Sequence, residues 1–194
     1  METFFTADTH FFHEMLITGR GGEGSPRPMF KTVEEMNETI VAGWNSVVTK
    51  QDRIFHLGDF ALGMASIAEM QGIFDRLNGQ KILIPGNHDM KNNKVIKHLR
   101  WSEIYECRLL KVGGRHIWLS HYPHLSWPGS CHGSWHLHGH SHGNITGRGH
   151  ILDVGVDCNK FTPIAFPEVA VAMATRGENP DQVPGRTLSA EDEL

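Results

Sequence analysis

The stretch KILIPGNHD, residues 81–89, shows the pattern on which the fold prediction rests. It begins as a short apolar run with the length and composition of a buried β-strand, and it ends in polar residues. Four other stretches end on Asp or His in the same way: TFFTADTH at 3–10, RIFHLGD at 53–59, HIWLSH at 116–121 and WHLHGHSH at 135–142. In α/β folds the ligand site lies beyond the carboxyl ends of the strands, so these endings predict one shared site.

Helical signals fall between these runs. Thr32 and Glu35 form a T-x-x-E capping box ahead of apolar residues at helical spacing, and Ser66 and Glu69 repeat the device. A weaker helical pattern covers 90–100. The apolar stripes are typical of core packing and are assigned no chemistry. Strands alternating with helices predict the α/β class.

Length and charge limit the organisation and the partners. The 194 residues are enough for one hydrophobic core, so we predict a single domain over 1–174 and a polar, loosely ordered tail over 175–194. With 39% apolar and 21% charged residues, the composition is that of a globular enzyme. A net charge of -4 argues against broad attraction to nucleic acid or to an anionic membrane.

Several segments carry smaller expectations. No apolar run approaches the roughly 20 residues that span a bilayer, and the opening METFFTADTH lacks a leader pattern, so we expect a cytoplasmic protein without membrane partners. The three cysteines are widely spaced and are expected to be free thiols. The Gly/Pro-rich stretches at 19–28 and 126–135 are predicted to be surface loops.

The strand endings contain five short motifs of possible ligands. They are Asp8 and His10 in D-x-H, Asp59 in G-D, Asn87, His88 and Asp89 in G-N-H-D, the lone His121, and His140 and His142 in G-H-x-H. Oxygen and imidazole donors without cysteine suit Mn, Fe or Zn. A set of this size exceeds the four ligands of one tetrahedral ion, whereas two metals that share a bridging carboxylate use it naturally.

Spacing suggests how the paired donors act. Residues two apart at a strand end point to the same side, so Asp8 and His10 can bind one ion together. The same argument applies to His140 and His142, with the alternative that a turn at Gly139 divides them between two ions.

In this order the motifs resemble those of the calcineurin-like metallophosphoesterase superfamily, in particular its small prokaryotic and phage-type members. The resemblance runs from Asp8 to His142 and implies a two-sheet α/β/β/α sandwich with a dinuclear site at one rim. It also implies the roles of the donors. Asp8, His10 and His142 would bind one metal, Asn87, His121 and His140 the second, and Asp59 both. His88 would be the general acid or a phosphate contact, held by Asp89.

The implied activity is phosphoester hydrolysis by a hydroxide that two divalent ions activate. Mn is the first expectation for the metal, with Fe, Zn or Ni as alternatives. The motifs leave open the choice between monoester and diester, and the oligomeric state. The acidic balance favours a small phosphorylated substrate, including nucleotides, over long nucleic acid. The alternatives are a nuclease acting on nucleic-acid ends and a non-catalytic protein-binding module on the same fold.

Four other histidines and Asp157 lie close to these motifs in the sequence. His136 and His138 are expected to be structural or to orient true ligands. His13 and His124 follow donor-bearing strand ends and are the better candidates for substrate contacts. Asp157 is expected to be structural, with the alternative that it supports a ligand histidine.

Overall fold

A computed structural model of the chain describes residues 1–19, 24–62 and 64–185. The strands in these ranges are β1 (Thr3–Thr6), β2 (Arg53–His56), β3 (Gln80–Leu83), β4 (Glu103–Ile104), β5 (Arg108–Val112), β6 (Arg115–Leu119), β7 (Trp135–His138), β8 (Ile151–Asp153) and β9 (Ile164–Ala165). The helices are α1 (Met15–Thr18), α2 (Val33–Val47), α3 (Ile67–Arg76), α4 (Asn87–Asn92), α5 (Lys94–His98) and α6 (Phe166–Ala174). Short 3-10 turns cover Ser130–His132 and Val156–Cys158.

The strands form two sheets, with strand orders β4-β3-β2-β1-β9 and β5-β6-β7-β8. In the first, β1 to β4 are parallel and β9 is antiparallel to β1; in the second, β6, β7 and β8 are parallel. All five strands predicted from the apolar runs are present, as β1, β2, β3, β6 and β7. Parallel strands place their carboxyl ends at one edge of each sheet, which is where the donor motifs follow.

Two apolar cores explain why the sheets stack. Strand alternation sends Phe4 and Ile54 towards α2 and α3, whereas Phe5 and Phe55 face the second sheet, where they meet residues such as Leu137. Helix α6 buries Val169 and Met173 against the core between the sheets. The predicted α/β class and the two-sheet sandwich with helices are confirmed.

The capping signals act as their spacing suggests. Ser66 and Glu69 form a full capping box at α3, while Thr32 accepts from the Glu35 N–H at the start of α2. The predicted helix over 90–100 is instead two helices, because Asn93 adopts φ 23° between α4 and α5 and interrupts the repeat.

Each Gly/Pro-rich stretch contains at least one buried side chain among residues that are exposed or half-buried. The buried residues include Arg27 in the first stretch and Trp127 in the second. The Asn179 side chain donates to the Ser130 and Ser134 carbonyls, which attaches the chain beyond α6 to that second loop. Of the predicted loop and tail, residues 20–23 and 186–194 lie outside the described residues.

Two expectations concern the chain as a whole. None of the helices in the described ranges has the length and apolar character needed to cross a membrane. The three cysteines, Cys107, Cys131 and Cys158, are free thiols as expected.

Candidate metal centre

Five donor residues, Asp8, His10, Asp59, His140 and His142, have left-handed backbone conformations beyond the strand ends. Strand β1 ends at Thr6, and Asp8 and His10 have φ 56° and 47°. Strand β7 ends at His138, and His140 and His142 have φ 67° and 48°. The expectation that strand alternation aligns each pair is therefore wrong, because the chain has left the extended conformation before the donors begin. Such residues cost of order 1–3 kcal/mol each and persist where surrounding contacts hold them.

Backbone hydrogen bonds between distant loops hold this conformation. The Asp8 N–H donates to the Gly58 carbonyl at 2.9 Å, and the His10 N–H donates to the Asp59 carbonyl at 3.0 Å. The loops that follow β1 and β2 therefore run side by side. Both loops point their donors towards the same rim.

The turns bring the predicted donors into three overlapping groups. In each group the candidate ligand atoms lie within 4.8 Å of one another. The groups are Asp8, His10 and His142; His10, Asp59 and His88; and Asp59, His121 and His140. His140 and His142 thus fall in different groups, which agrees with the alternative of a dividing turn at Gly139.

Asp59 joins the groups. One carboxylate oxygen, Oδ2, lies 3.6 Å from His10 Nε2 and 3.6 Å from His121 Nε2. The other oxygen, Oδ1, accepts from the His88 N–H at 2.9 Å, which fixes the orientation of the carboxylate. One Asp59 oxygen is therefore close to one histidine from each of two different groups.

The buried Asp8 carboxyl fits a cation site. Burial raises its pKa to about 8, and its oxygens accept from the His140 backbone N–H at 2.9 and 3.1 Å. Its neighbour His10 has a buried Nδ1 with no hydrogen-bond partner in the described structure. A divalent cation would supply the opposite charge that a buried carboxylate otherwise lacks.

His121 and Asn87 give a second indication. The Nδ1–H of His121 donates to the Leu57 carbonyl at 2.7 Å, so in the neutral ring Nε2 carries a lone pair. That Nε2 faces the Asn87 Oδ1, also an acceptor, at 3.1 Å. Two acceptors that face each other at this distance fit a shared cation, and the carbonyl contact fixes the tautomer as it commonly does for ligand histidines.

His142 is oriented in the same way by a carboxylate. Its Nδ1–H donates to Asp157 Oδ2 at 2.7 Å, which leaves Nε2 for the Asp8 group. Burial lowers the pKa of His142, but this hydrogen bond and the charges of Asp8 and Asp157 outweigh it, so that the net shift is upward. Asp157 therefore supports a candidate ligand, which was the alternative interpretation of that residue.

His88 and Asp89 take different places. His88 is partly exposed, and its Nε2 lies 3.9 Å from Asp59 Oδ2. Asp89 is fully buried, and its carboxylate accepts from the backbone N–H groups of Gly86, Asp59 and Phe60 at 2.7–3.0 Å. Within the described part of the chain, neither oxygen bonds to the His88 ring. The expected contact is absent because both oxygens bind the backbone of the two loops, and burial raises the pKa of Asp89 to about 7.

Glycine at position 86 is required by the close approach of these loops. A Cβ there would lie 2.2 Å from Asp59 Oδ1 and 2.7 Å from the His121 ring. The G-N-H-D glycine thus allows Asp59 and His121 to approach the same point.

The remaining histidines divide between site and scaffold. The centroid of the His13 ring lies 5.3 Å from that of His10 and 5.9 Å from that of His88, so His13 is part of the site. His124 instead accepts from the Trp118 indole N–H and packs on His136. Of the two, only His13 is next to the donor groups.

His136 supports the loop after β6. It is buried; its Nε2 accepts from the His124 N–H at 3.1 Å and its Nδ1–H donates to the Trp118 carbonyl at 3.2 Å. Next to it, the Nδ1–H of His138 donates to the Gly139 carbonyl. Burial lowers the pKa of His136 to about 3, so the ring stays neutral in the folded protein.

This neutral histidine predicts an acid-dependent loss of stability. Below pH 6.5 His136 binds a proton in the unfolded chain, whereas in the folded protein it stays neutral until about pH 3. The neutral ring's contribution to the free energy of unfolding is therefore complete above pH 6.5 and is lost as the pH falls. Between pH 7 and pH 5 the free energy of unfolding should fall by about 2 kcal/mol through His136 alone. When the metal-free protein is unfolded in urea, the fall between these pH values should therefore be about 2 kcal/mol smaller in His136→Gln than in wild type. The exposed His98→Gln is the control, and equal pH dependence in His136→Gln and wild type would contradict the prediction.

Sequence reasoning missed one residue beneath the site, Arg27. It lies in the Gly/Pro-rich stretch predicted to be a surface loop, yet it is fully buried. Its hydrogen bonds reach Asp157 and the backbone of Asp8 and Thr9. No local signal marks it, because its partners are distant in sequence.

Comparison with known proteins agrees with this geometry. Residues 1–163 match the family of calcineurin-like phosphoesterases, and the chain belongs to that family. The resemblance seen in the motifs is confirmed. The family, together with the donor groups, supports a metal-dependent phosphoester hydrolase.

Individual relatives are small proteins of similar length. An uncharacterised protein of Methanocaldococcus jannaschii is 29% identical over 182 residues, covering 90% of this chain and 92% of its own. The gene 66 protein of Mycobacterium phage L5 is 30% identical over 186 residues, covering 80% and 86%. A crystal structure of a protein of unknown function from Aquifex aeolicus has a TM-score of 0.68 and 27% identity, covering 88% of this chain and 98% of its own.

Proposed function

We propose that this protein hydrolyses a small phosphorylated substrate, with nucleotides included, at a site that holds two divalent metal ions. The observation that carries the proposal is the placement of Asp59 between two donor groups. One Asp59 oxygen lies 3.6 Å from a histidine of each group, which supports a carboxylate shared by two neighbouring ions.

Each ion would have its own set of ligands. Asp8, His10 and His142 would hold the first ion, Asn87, His121 and His140 the second, and Asp59 would contact both. Aspartate, asparagine and histidine suit Mn, with Fe, Zn or Ni as alternatives. When bound, such ions polarise phosphoryl oxygens and lower the pKa of water.

The residues around the donors then orient the ester. His140 is exposed, and the half-exposed Tyr122 packs edge-on against it with ring centroids 4.6 Å apart, so the substrate approaches past these two rings. His88 is also partly exposed, and its backbone N–H donates a hydrogen bond to the Asp59 carboxylate. Its imidazole, at the open side of the site, would act as the general acid for the departing oxygen of the ester.

The net negative charge of the chain favours a small substrate over long nucleic acid. The chain carries a net charge of -4, and binding to long nucleic acid depends on a positive surface that releases counterions. A single phosphoryl group needs only the local positive charge of the ions. We therefore place the nuclease activity second.

The direct test is a hydrolysis screen of the full chain. Metal-free protein is supplied with Mn²⁺, Fe²⁺, Zn²⁺ or Ni²⁺ and assayed with p-nitrophenyl phosphate, bis(p-nitrophenyl) phosphate, and 2′,3′- and 3′,5′-cyclic nucleotides. We expect metal-dependent turnover of at least one ester, abolished by a chelator. Metal content is measured in parallel, and about two ions per chain are expected.

The other outcomes identify the alternatives. Cleavage of oligonucleotides alone, with an affinity that falls steeply with salt, would indicate a nuclease. Protein that binds no metal and hydrolyses none of these esters would overturn the proposal and favour a protein-binding module. Comparing monoester and diester rates under one metal assigns the preference that the motifs leave open.

A further inference from the structure

Arg27 makes an unusual set of contacts for a residue in a loop. Its guanidinium is fully buried and forms two parallel hydrogen bonds with Asp157, from Nε to Oδ1 and from Nη2 to Oδ2, both at 2.8 Å. A buried charge is tolerated only when it is paired and hydrogen-bonded, and this fork-to-carboxylate arrangement is the strongest such pair. The loop is itself anchored, because the Arg27 N–H donates to the Leu16 carbonyl.

The same guanidinium also reaches the chain that carries the first donors. Nη2 donates to the Asp8 carbonyl at 2.7 Å, and Nη1 donates to the Thr9 carbonyl at 3.1 Å. These two carbonyls belong to the segment in which Asp8 and His10 adopt left-handed backbone conformations. Arg27 therefore holds the turn that aims both side chains into the site.

Asp157 extends the chain of contacts to a third donor. The oxygen that accepts from Arg27 Nη2, Oδ2, also accepts from His142 Nδ1–H at 2.7 Å. One guanidinium thus holds the main-chain carbonyl of Asp8, the Thr9 carbonyl that precedes His10 and, through one carboxylate, the ring of His142.

We infer that Arg27 is a positioning residue for one half of the metal centre, and that it orders the donor group Asp8, His10 and His142 without touching the ion. The inference rests on the proposed two-ion site and deepens it. Within the described residues, the side-chain hydrogen bonds of Arg27 go to Asp157, to the Asp8 and Thr9 carbonyls and to the Met36 sulfur, and none goes to Asn87, His121 or His140.

Lysine cannot replace arginine in this role. The guanidinium serves two carboxylate oxygens and two carbonyls from one rigid plane, whereas an ammonium group presents its donors from a single atom. Arg27→Lys keeps the positive charge and loses the fixed fork. A change that follows Arg27→Lys therefore reports geometry rather than charge.

The test is Mn²⁺ binding to metal-free protein, measured by calorimetry and by metal content after dialysis. We expect wild type to bind two ions, and Arg27→Lys and Asp157→Asn to bind one of them about 10- to 100-fold more weakly while the other is unchanged. The double variant should lose no more than the worse single variant, because both act through one network. Arg76→Lys is the matched control, since it alters an exposed arginine paired with Glu38.

Melting of the metal-free proteins separates this role from a purely structural one. Lower thermal stability with wild-type affinity for both ions would overturn the inference, as would equal weakening of both ions. If Arg27→Lys does not fold, Asp157→Asn carries the same test, because it retains the shape of the side chain. Wild-type protein that binds Mn²⁺ but hydrolyses no ester would overturn the proposed function while leaving this inference standing.

Discussion

Asp59→Asn is expected to reduce kcat by about 10³-fold or more, because charge stabilisation by two ions is worth several kcal/mol and each 1.36 kcal/mol is tenfold in rate. The variant keeps the size of the side chain and the Oδ1 that accepts from the His88 N–H. It loses the negative charge on the oxygen that lies 3.6 Å from both His10 and His121. Both ions depend on that oxygen in the proposed site, so metal content should fall together with turnover.

The measurement combines metal analysis with kinetics on the best ester from the screen. Asp75→Asn, an exposed aspartate on α3, is the control and should behave as wild type. Circular dichroism establishes that Asp59→Asn is folded. Two ions per chain and normal turnover in the folded variant would refute the bridging role of Asp59.

The layout of the fold is predictable from local sequence. A short apolar run such as TFFT at 3–6 can be recognised as a strand from its own residues, because its length and its composition are both local properties of the sequence. Likewise, the capping box that runs from Ser66 to Glu69 is a short local motif, and it marks the start of α3. Since these signals are local, the order of elements follows, and the parallel strands then place the donor motifs at one rim.

The backbone at the donors is not predictable in the same way. Left-handed angles at Asp8 and His10 are imposed by hydrogen bonds to Gly58 and Asp59, about 50 residues along the chain. No pattern within D-x-H shows these bonds, and strand alternation is therefore the wrong basis for the pairing. The convergence of the donors is nevertheless as expected, because it depends on strand ends rather than on local angles.

Residues that act on the donors from behind are the hardest to predict. Arg27 and Asp157 are 130 positions apart in sequence and are brought into contact only by the tertiary structure. Asp89 is predicted as a partner of the His88 ring, but its oxygens bind the backbone of Gly86, Asp59 and Phe60. In both cases the motif identifies the residue type that the site needs, whereas the partner depends on tertiary structure.

His88→Gln is expected to lower kcat by about 10²–10⁴-fold for esters whose departing oxygen needs a proton. The partly exposed imidazole lies at the open side of the site, with its main chain bonded to Asp59. Glutamine keeps a polar side chain of similar length but cannot transfer a proton near neutral pH. The loss should be much smaller with p-nitrophenyl phosphate, because p-nitrophenolate leaves without protonation.

This contrast between leaving groups distinguishes three roles for His88. A general acid gives a large loss with alkyl phosphates, a small loss with p-nitrophenyl phosphate, and about two ions per chain. A phosphate contact gives equal losses with both esters and a higher KM. His88 also shares a donor group with His10 and Asp59. If it is a metal ligand, the variant should lose metal. His98→Gln on α5 is the control, and either of the last two results would show that His88 does not protonate the departing oxygen.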